Sequence, residues 1–171
     1  MKNFKETLSY VFIIFVVLLI RTYIVTPVRV DGSSMFPNLA DNDILLLKKY
    51  DKSIERFDIV VINHGKSKLV KRVIGLPGET IKINISHVGN NVVSKILING
   101  EEIDDPYGYE YMKDAGKAAN EIQLGDDEYF VLGDNRNNSA DSRIIGIINK
   151  KDIFGVTNFR LFPFSTFGEL N

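Results

Sequence analysis

The sequence has no cysteine, only two histidines and almost no net charge. The lack of cysteine excludes disulfides, thiol nucleophiles and thiolate metal sites. His64 and His87 each lack a second histidine at ligand spacing, so no histidine metal site is expected. Hydrolytic chemistry would have to proceed without a histidine base. A formal charge of −1 over 171 residues leaves no footprint for nucleic acid. Asp41 and Asp43 precede an apolar segment and read as turn formers rather than catalytic acids. Internal repeats and low-complexity tracts are absent, and no long helical period follows residue 30.

What is present starts with an apolar run, Leu8–Val28, almost uninterrupted as far as Ile20. A bilayer core takes about 20 residues of helix. Arg21 can snorkel to a headgroup region, and Tyr10 and Tyr23 suit the two interfaces. The alternatives are a cleaved signal peptide and a buried core helix. No small-x-small site closes the run, and a core helix is seldom so uniformly apolar. An uncleaved anchor is the expectation. Lys2 and Lys5, against the single Glu6, favour a cytoplasmic N-terminus. The chain then divides into residues 1–7 inside, an anchor at 8–28 in the lipid bilayer, and a domain at 29–171 outside. Its middle part, about 84–124, reads as a variable insertion.

Beyond the anchor the pattern is mainly β. Ile44–Leu47, Ile59–Ile62, Leu69–Ile74, Tyr129–Leu132 and Ile153–Phe162 are apolar runs of strand length. Thr80–Ile85 alternates, with Ile81, Ile83 and Ile85 on one face. Val92–Ile98 runs into Asn99-Gly100, a strong hairpin signal, with Glu102-Ile103 returning. An antiparallel sheet or partial barrel behind one transmembrane helix is the expected fold. Asp104–Asn120, polar with three tyrosines, reads as a surface excursion.

Three stretches carry candidate chemistry. In Val30–Leu39, VDGSSMFPNL, Gly32 permits backbone closed to other residues and Pro37 fixes the exit of the turn. A serine on such a turn can be a nucleophile; an ordinary polar loop has the same composition. Met35 and Phe36 read as an exposed apolar pair beside it, facing substrate or lipid, or simply packed. In Leu69–Ile74, Lys71 shares a strand face with Leu69 and Val73. Desolvation there would pull its pKa from ~10.4 to about 7–8, where an amine serves as a base. An edge-strand lysine that discourages aggregation is the competing reading. Serine with a deprotonated lysine is an alternative to the serine–histidine–aspartate arrangement. Gly133–Arg143, GDNRNNSADSR, is dense in turn formers, yet its Asp and Arg residues could pair and fix a loop against a neighbouring strand.

GSSMFPNL, KRVIGLPGE and GDNRNNSADSRIIG, in that order behind an N-terminal anchor, closely resemble the type I signal peptidases of bacteria. The likeness is greatest to the short, single-anchor Gram-positive forms, and it is good over 25–79 and 129–155 but poor between them. It implies a serine endopeptidase without cofactor or metal, acting on exported preproteins after small-x-small sites. By the same likeness Ser34 would be the nucleophile, Lys71 the general base and Ser139 the group that orients the amine. Asp141 and Arg143 would form a supporting ion pair, with Asp134 and Arg136 holding the same loop. Val30, Leu39 and Val70 would lie near the substrate pockets, with Met35 beside them. Three departures stand out. Gly32 lies where some members carry a hydroxyl that donates to the oxyanion, so Ser34 N–H would need another main-chain group or water beside it. Arg56-Phe57-Asp58 stands where Arg-Gly-Asp is usual, and Glu79 where aspartate is common. Three other readings compete: a self-cleaving regulator of the same β fold, an anchored binding factor without chemistry, and a peptidase restricted to pilin-like substrates. The regulator would need a DNA-binding domain, and the binding factor is expected to lack Ser34 or Lys71.

Overall fold

The computed structural model describes residues 2–49, 53–65 and 67–170. The side chains of Lys2 and Lys5, on which the expected orientation rests, lie outside the described ones. Helix α1 (Lys2–Tyr23) has 22 residues, enough to span about 33 Å. Its window Glu6–Tyr23 is long and apolar enough to cross a membrane, and none of it is buried against the rest of the chain.

The apolar run does not end with the helix. Val25–Arg29 forms strand β1, so the helix ends at Tyr23 and not at Val28, where the anchor was expected to end. The cause is local. Pro27 has no N–H for a helix and pushes Thr26 towards extended backbone. On an edge strand that missing donor costs no ladder bond.

The other strands are β2 (Ile44–Lys48), β3 (Ile59–His64), β4 (Ser67–Gly75), β5 (Thr80–Val88), β6 (Asn91–Ile98) and β7 (Glu101–Glu102). There follow β8 (Ile122–Gln123), β9 (Glu128–Leu132), the short helix α2 (Ser142–Ile145), β10 (Ile148–Asn149), β11 (Ile153–Phe162) and β12 (Gly168–Glu169). The larger sheet has the order β1-β2-β11-β3-β4-β9-β10, with β12 against β11. A second sheet runs β7-β6-β5-β8. All pairings are antiparallel. The mainly antiparallel β fold with one N-terminal apolar helix is the one the sequence implies.

Turn chemistry accounts for much of this path. Asn99 and Gly100 have φ of 51° and 84°, the left-handed pair that a two-residue hairpin requires. Phe57 has φ of 74°, so the turn usually made with glycine persists with an aromatic residue in left-handed backbone. Its ring packs on Tyr107, with centroids 5.3 Å apart, which offsets part of that cost.

The core has three apolar clusters. One joins the two sheets around Ile74, Ile81, Ile83 and Phe130. The second lies under the Val30–Leu39 segment, and the third surrounds Val60, Val73 and Val131. The Asp104–Asn120 stretch departs from its expected surface position. Met112, Ala115 and Ala118 are buried in the first cluster, pinning the segment across the domain. His87 lies on β5, exposed like His64.

Candidate active site

The serine turn is built by its own backbone. Gly32 has φ of +87° and donates its N–H to Asp41 Oδ1 at 2.8 Å. Phe36 N–H donates to Ser33 O at 3.1 Å, and Leu39 N–H to Met35 O at 2.8 Å. These bonds fold the segment into a compact knuckle whose apolar side chains turn inward. Met35 is fully buried with Val30, Leu39 and Val70. The expectation that Met35 lies exposed is therefore overturned: the helical bond from Leu39 to Met35 O directs it into the core. Phe36 alone stays exposed, edge-on to Tyr109 at 5.4 Å between centroids. Val30, Leu39 and Val70 are likewise closed into the core rather than lining an open wall.

Lys71 comes from the middle of β4, which is hydrogen-bonded to β3 on one side and β9 on the other. Its partner across β3 is the buried Val60. The lysine is 2% exposed, and Nζ lies 2.7 Å from Ser34 Oγ and 2.9 Å from Val70 O. Burial lowers its pKa from 10.5 to about 8, against the opposing pull of the Asp141 and Asp134 carboxylates. No acid is bonded to the amine, so desolvation dominates.

The register of β4 with β9 decides what lies beside Lys71. Arg72 pairs with Leu132, so β9 delivers the Gly133–Arg143 loop next to the amine. Asp141 accepts from Gly133 N–H at 3.0 Å and pairs with Arg143 through Oδ2 at 2.8 Å and Oδ1 at 2.9 Å. Asp134 takes its partner from the strand: Arg72 Nε and Nη2 reach its two oxygens at 2.8 and 2.7 Å. Arg136 pairs with Asp105 of the excursion and donates to Gly133 O at 2.9 Å. The charge partners of Asp134 and Arg136, Arg72 and Asp105, lie outside Gly133–Arg143.

Ser139 does not orient the lysine as expected. Its Oγ is buried without a hydrogen-bond partner among the described residues. The side chain is pressed instead against Gly133, where an added Cβ would meet Ser139 Oγ at 2.2 Å and Ser34 O at 2.5 Å. The amine meanwhile uses its bonds on Ser34 and Val70.

Several contributors escaped the sequence reading. Asn135 N–H donates to Ser34 O at 3.0 Å, and the side chains of Asn135 and Asn138 reach Ser33 O and Ser33 Oγ. Asn38 Nδ2 donates to Asp134 Oδ2 at 2.8 Å. The Tyr107 ring covers the Arg72 guanidinium at 3.7 Å. Asp43 is buried, accepts from Ala40 N–H and faces Arg160 Nε at 3.2 Å, so it does serve its turn, with a cation from β11 added. Asn and Tyr in such positions carry no periodic signal, because their partners are remote in sequence. Among the described residues, no group of His, Cys, Asp and Glu could hold a metal ion.

A buried lysine bonded to a serine on a knuckle is found here in a chain whose residues 4–162 match the family described as signal peptidase, peptidase S26. The chain belongs to that family. As a member it is a serine peptidase, and its curated relatives span most of it. Signal peptidase I S of Bacillus subtilis (strain 168) is 36% identical over 169 residues, covering 90% of this chain and 86% of the relative. A signal peptidase I of Bacillus amyloliquefaciens is 41% identical over 160 residues, covering 86% and 79%. That of Streptococcus pneumoniae serotype 4 is 35% identical over 207 aligned positions, covering 98% and 97%. A crystal structure of a signal peptidase I from Enterococcus faecalis V583 aligns with a TM-score of 0.47 and 27% identity, over 61% of this chain and 97% of that one.

Proposed function

We propose that this signal peptidase is anchored in the membrane by α1 and removes N-terminal signal peptides from exported preproteins, with Ser34 as nucleophile and Lys71 as general base. The observation that carries the reading is the 2.7 Å contact between Ser34 Oγ and an amine whose pKa has fallen to about 8. At that pKa a useful fraction of Lys71 is neutral near physiological pH, and its lone pair can accept the serine proton. The Oγ then bonds to the scissile carbonyl carbon while the carbonyl oxygen takes the electron pair, facing Ser34 N–H. Lys71 ammonium returns the proton to the departing amine as the C–N bond breaks. A water next loses its proton to Lys71 and displaces Ser34 from the ester.

The remaining residues position this pair. Asp141 with Arg143, and Asp134 with Arg72, fix the loop that walls the amine, while Arg136 ties the same loop to the excursion. Met35 and Leu39 have no exposed surface and Val30 and Val70 very little, so any floor this cluster forms for a substrate is shallow. Small side chains rest on such a floor without strain, and large ones collide with it. This supports cleavage after small-x-small sequences. The substrate lies extended beside the sheet, where β1 and β10 are the end strands. In this reading the N-terminus is cytoplasmic and the β domain extracytoplasmic.

The test is cleavage of a small-x-small preprotein by purified full-length protein in detergent. Ser34→Ala and Lys71→Ala are each expected to abolish cleavage and leave the circular dichroism spectrum unchanged. Normal processing by Lys71→Ala would refute the mechanism.

A further inference from the structure

The end of the larger sheet nearest α1 gathers basic residues from distant parts of the chain. Strand β2 ends there at Lys48, which lies opposite Val25, the first residue of β1. Strand β3 ends at His64, β4 starts at Ser67, and β11 starts at Ile153 on the same end. Lys49 N–H donates to Ile24 O at 2.9 Å, and its Nζ reaches Arg21 O and Thr22 O at 3.3 and 3.1 Å. A lysine from the β domain thereby caps the last carbonyls of the apolar helix, where the helix dipole favours a cation. Arg21 sits in that last turn, exposed.

The same end holds a second lysine. Lys68 Nζ lies 3.6 Å and Lys49 Nζ 5.0 Å from the centroid of the Phe154 ring. Two ammonium groups thus lie against one aromatic ring, whose quadrupole attracts each of them. Among the described residues, no acidic side chain forms an ion pair with Arg21, Lys49 or Lys68. The charge is therefore uncompensated from within the described chain, and it lies level with the end of the helix.

We infer that Arg21, Lys49 and Lys68 form a collar that binds the phosphodiester headgroup of an anionic phospholipid in the leaflet facing the β domain. The inference rests on the reading of α1 as a membrane anchor. Lys49 joins helix and collar through its two side-chain bonds, so its ammonium stands at the helix end. Phe154 beneath the amines gives the acyl–headgroup boundary an apolar surface, while the lysine stems extend over it. Basic side chains at an anionic surface each add attraction that decays within a Debye length, so a rigid placement matters. Charge-counting along the sequence misses the collar, because Lys49 and Lys68 are remote from the helix in the chain and only folding brings them back.

The test uses the full chain in a zwitterionic detergent, with the thermal midpoint followed as short-chain phosphatidylglycerol or phosphatidylcholine is added. Phosphatidylglycerol is expected to raise the midpoint and phosphatidylcholine to leave it unchanged. The double variant Lys49→Gln with Lys68→Gln keeps a donor for the helix carbonyls. It is expected to bind phosphatidylglycerol about thirtyfold more weakly, about fivefold for each charge lost. Lys95→Gln, remote on β6, is expected to respond like the wild type. An equal response to both lipids, an undiminished response in the double variant, or a matching response to inorganic phosphate would each overturn the collar. Alkaline carbonate extraction from vesicles separates this from the anchor. Retention without a phosphatidylglycerol response rejects the collar alone, whereas release into the wash rejects the anchor and the collar with it.

Discussion

At the scale of single residues the site turns on how water is kept from one amine. Burial sets the Lys71 pKa near 8, and the Asp141 and Asp134 carboxylates hold it from falling further. In the proposed mechanism the neutral amine is the working form, so kcat/KM is expected to rise with pH through about 8 and level off above it. Asp141→Asn removes a charge that favours the ammonium, so the pKa falls and the acidic limb moves to lower pH. A pH–rate profile of the two proteins checks the sign. Gly133 is the second decisive residue. A methyl group there would strike Ser139 Oγ and the Ser34 carbonyl. Gly133→Ala is expected to cost about 1–3 kcal/mol of stability and most of the activity, as read by denaturant unfolding and the cleavage assay. The placement of Ser34 on a tight turn and of Lys71 on a buried strand face was legible because each sits in a pattern with a physical reason: glycine and proline around a hydroxyl, apolar neighbours around an amine. Ser139 was not, since the sequence does not say which of two nearby partners a hydroxyl will face.

At the scale of elements, the long strands beyond β1 were legible, as was the Asn99-Gly100 turn, and the long excursion was not. Alternating isoleucines located β5, and an apolar run bounded by proline gave β11 its full extent. Strands β8, β10 and β12 have two residues each, too short for any period to register. The excursion was misread because its contacts are aromatic and polar rather than periodic. Tyr107 stacks on Arg72, Tyr109 N–H donates to Asp134 O, and Asp105 pairs with Arg136. Tyr107→Leu is expected to lower stability by about 0.5–2 kcal/mol and to reduce kcat more than KM, since it loosens the Arg72–Asp134 pair and not the substrate floor. Tyr107→Phe keeps the ring and should restore both values. Thermal unfolding and steady-state kinetics on the two variants distinguish a positioning effect from a general loss of fold.

At the scale of the whole molecule, the boundary between helix and domain matters more than the apolar run suggested. Hydropathy cannot tell a lipid-facing valine from a strand valine, so the run continued through Val28, which the fold buries in its core. Deletion of residues 2–23 is expected to leave a β domain with a cooperative unfolding transition. Deletion of residues 2–28 removes β1 and the cover over β2, and that product is expected to be insoluble or to melt without cooperativity. Expression of both, followed by calorimetry, decides the matter.

A single residue, Ile24, lies between the last turn of α1 and the first residue of β1. Five strand residues then lead to the knuckle that bears Ser34, a rise of about 17 Å. With α1 as the proposed anchor, so short a joint would hold the Ser34 hydroxyl at a set height and heading relative to the lipid. The peptide bond offered for cutting would then be chosen by stand-off distance as well as by side-chain size. A few glycines spliced in at Ile24 would leave the chemistry whole and let the cut wander along the substrate.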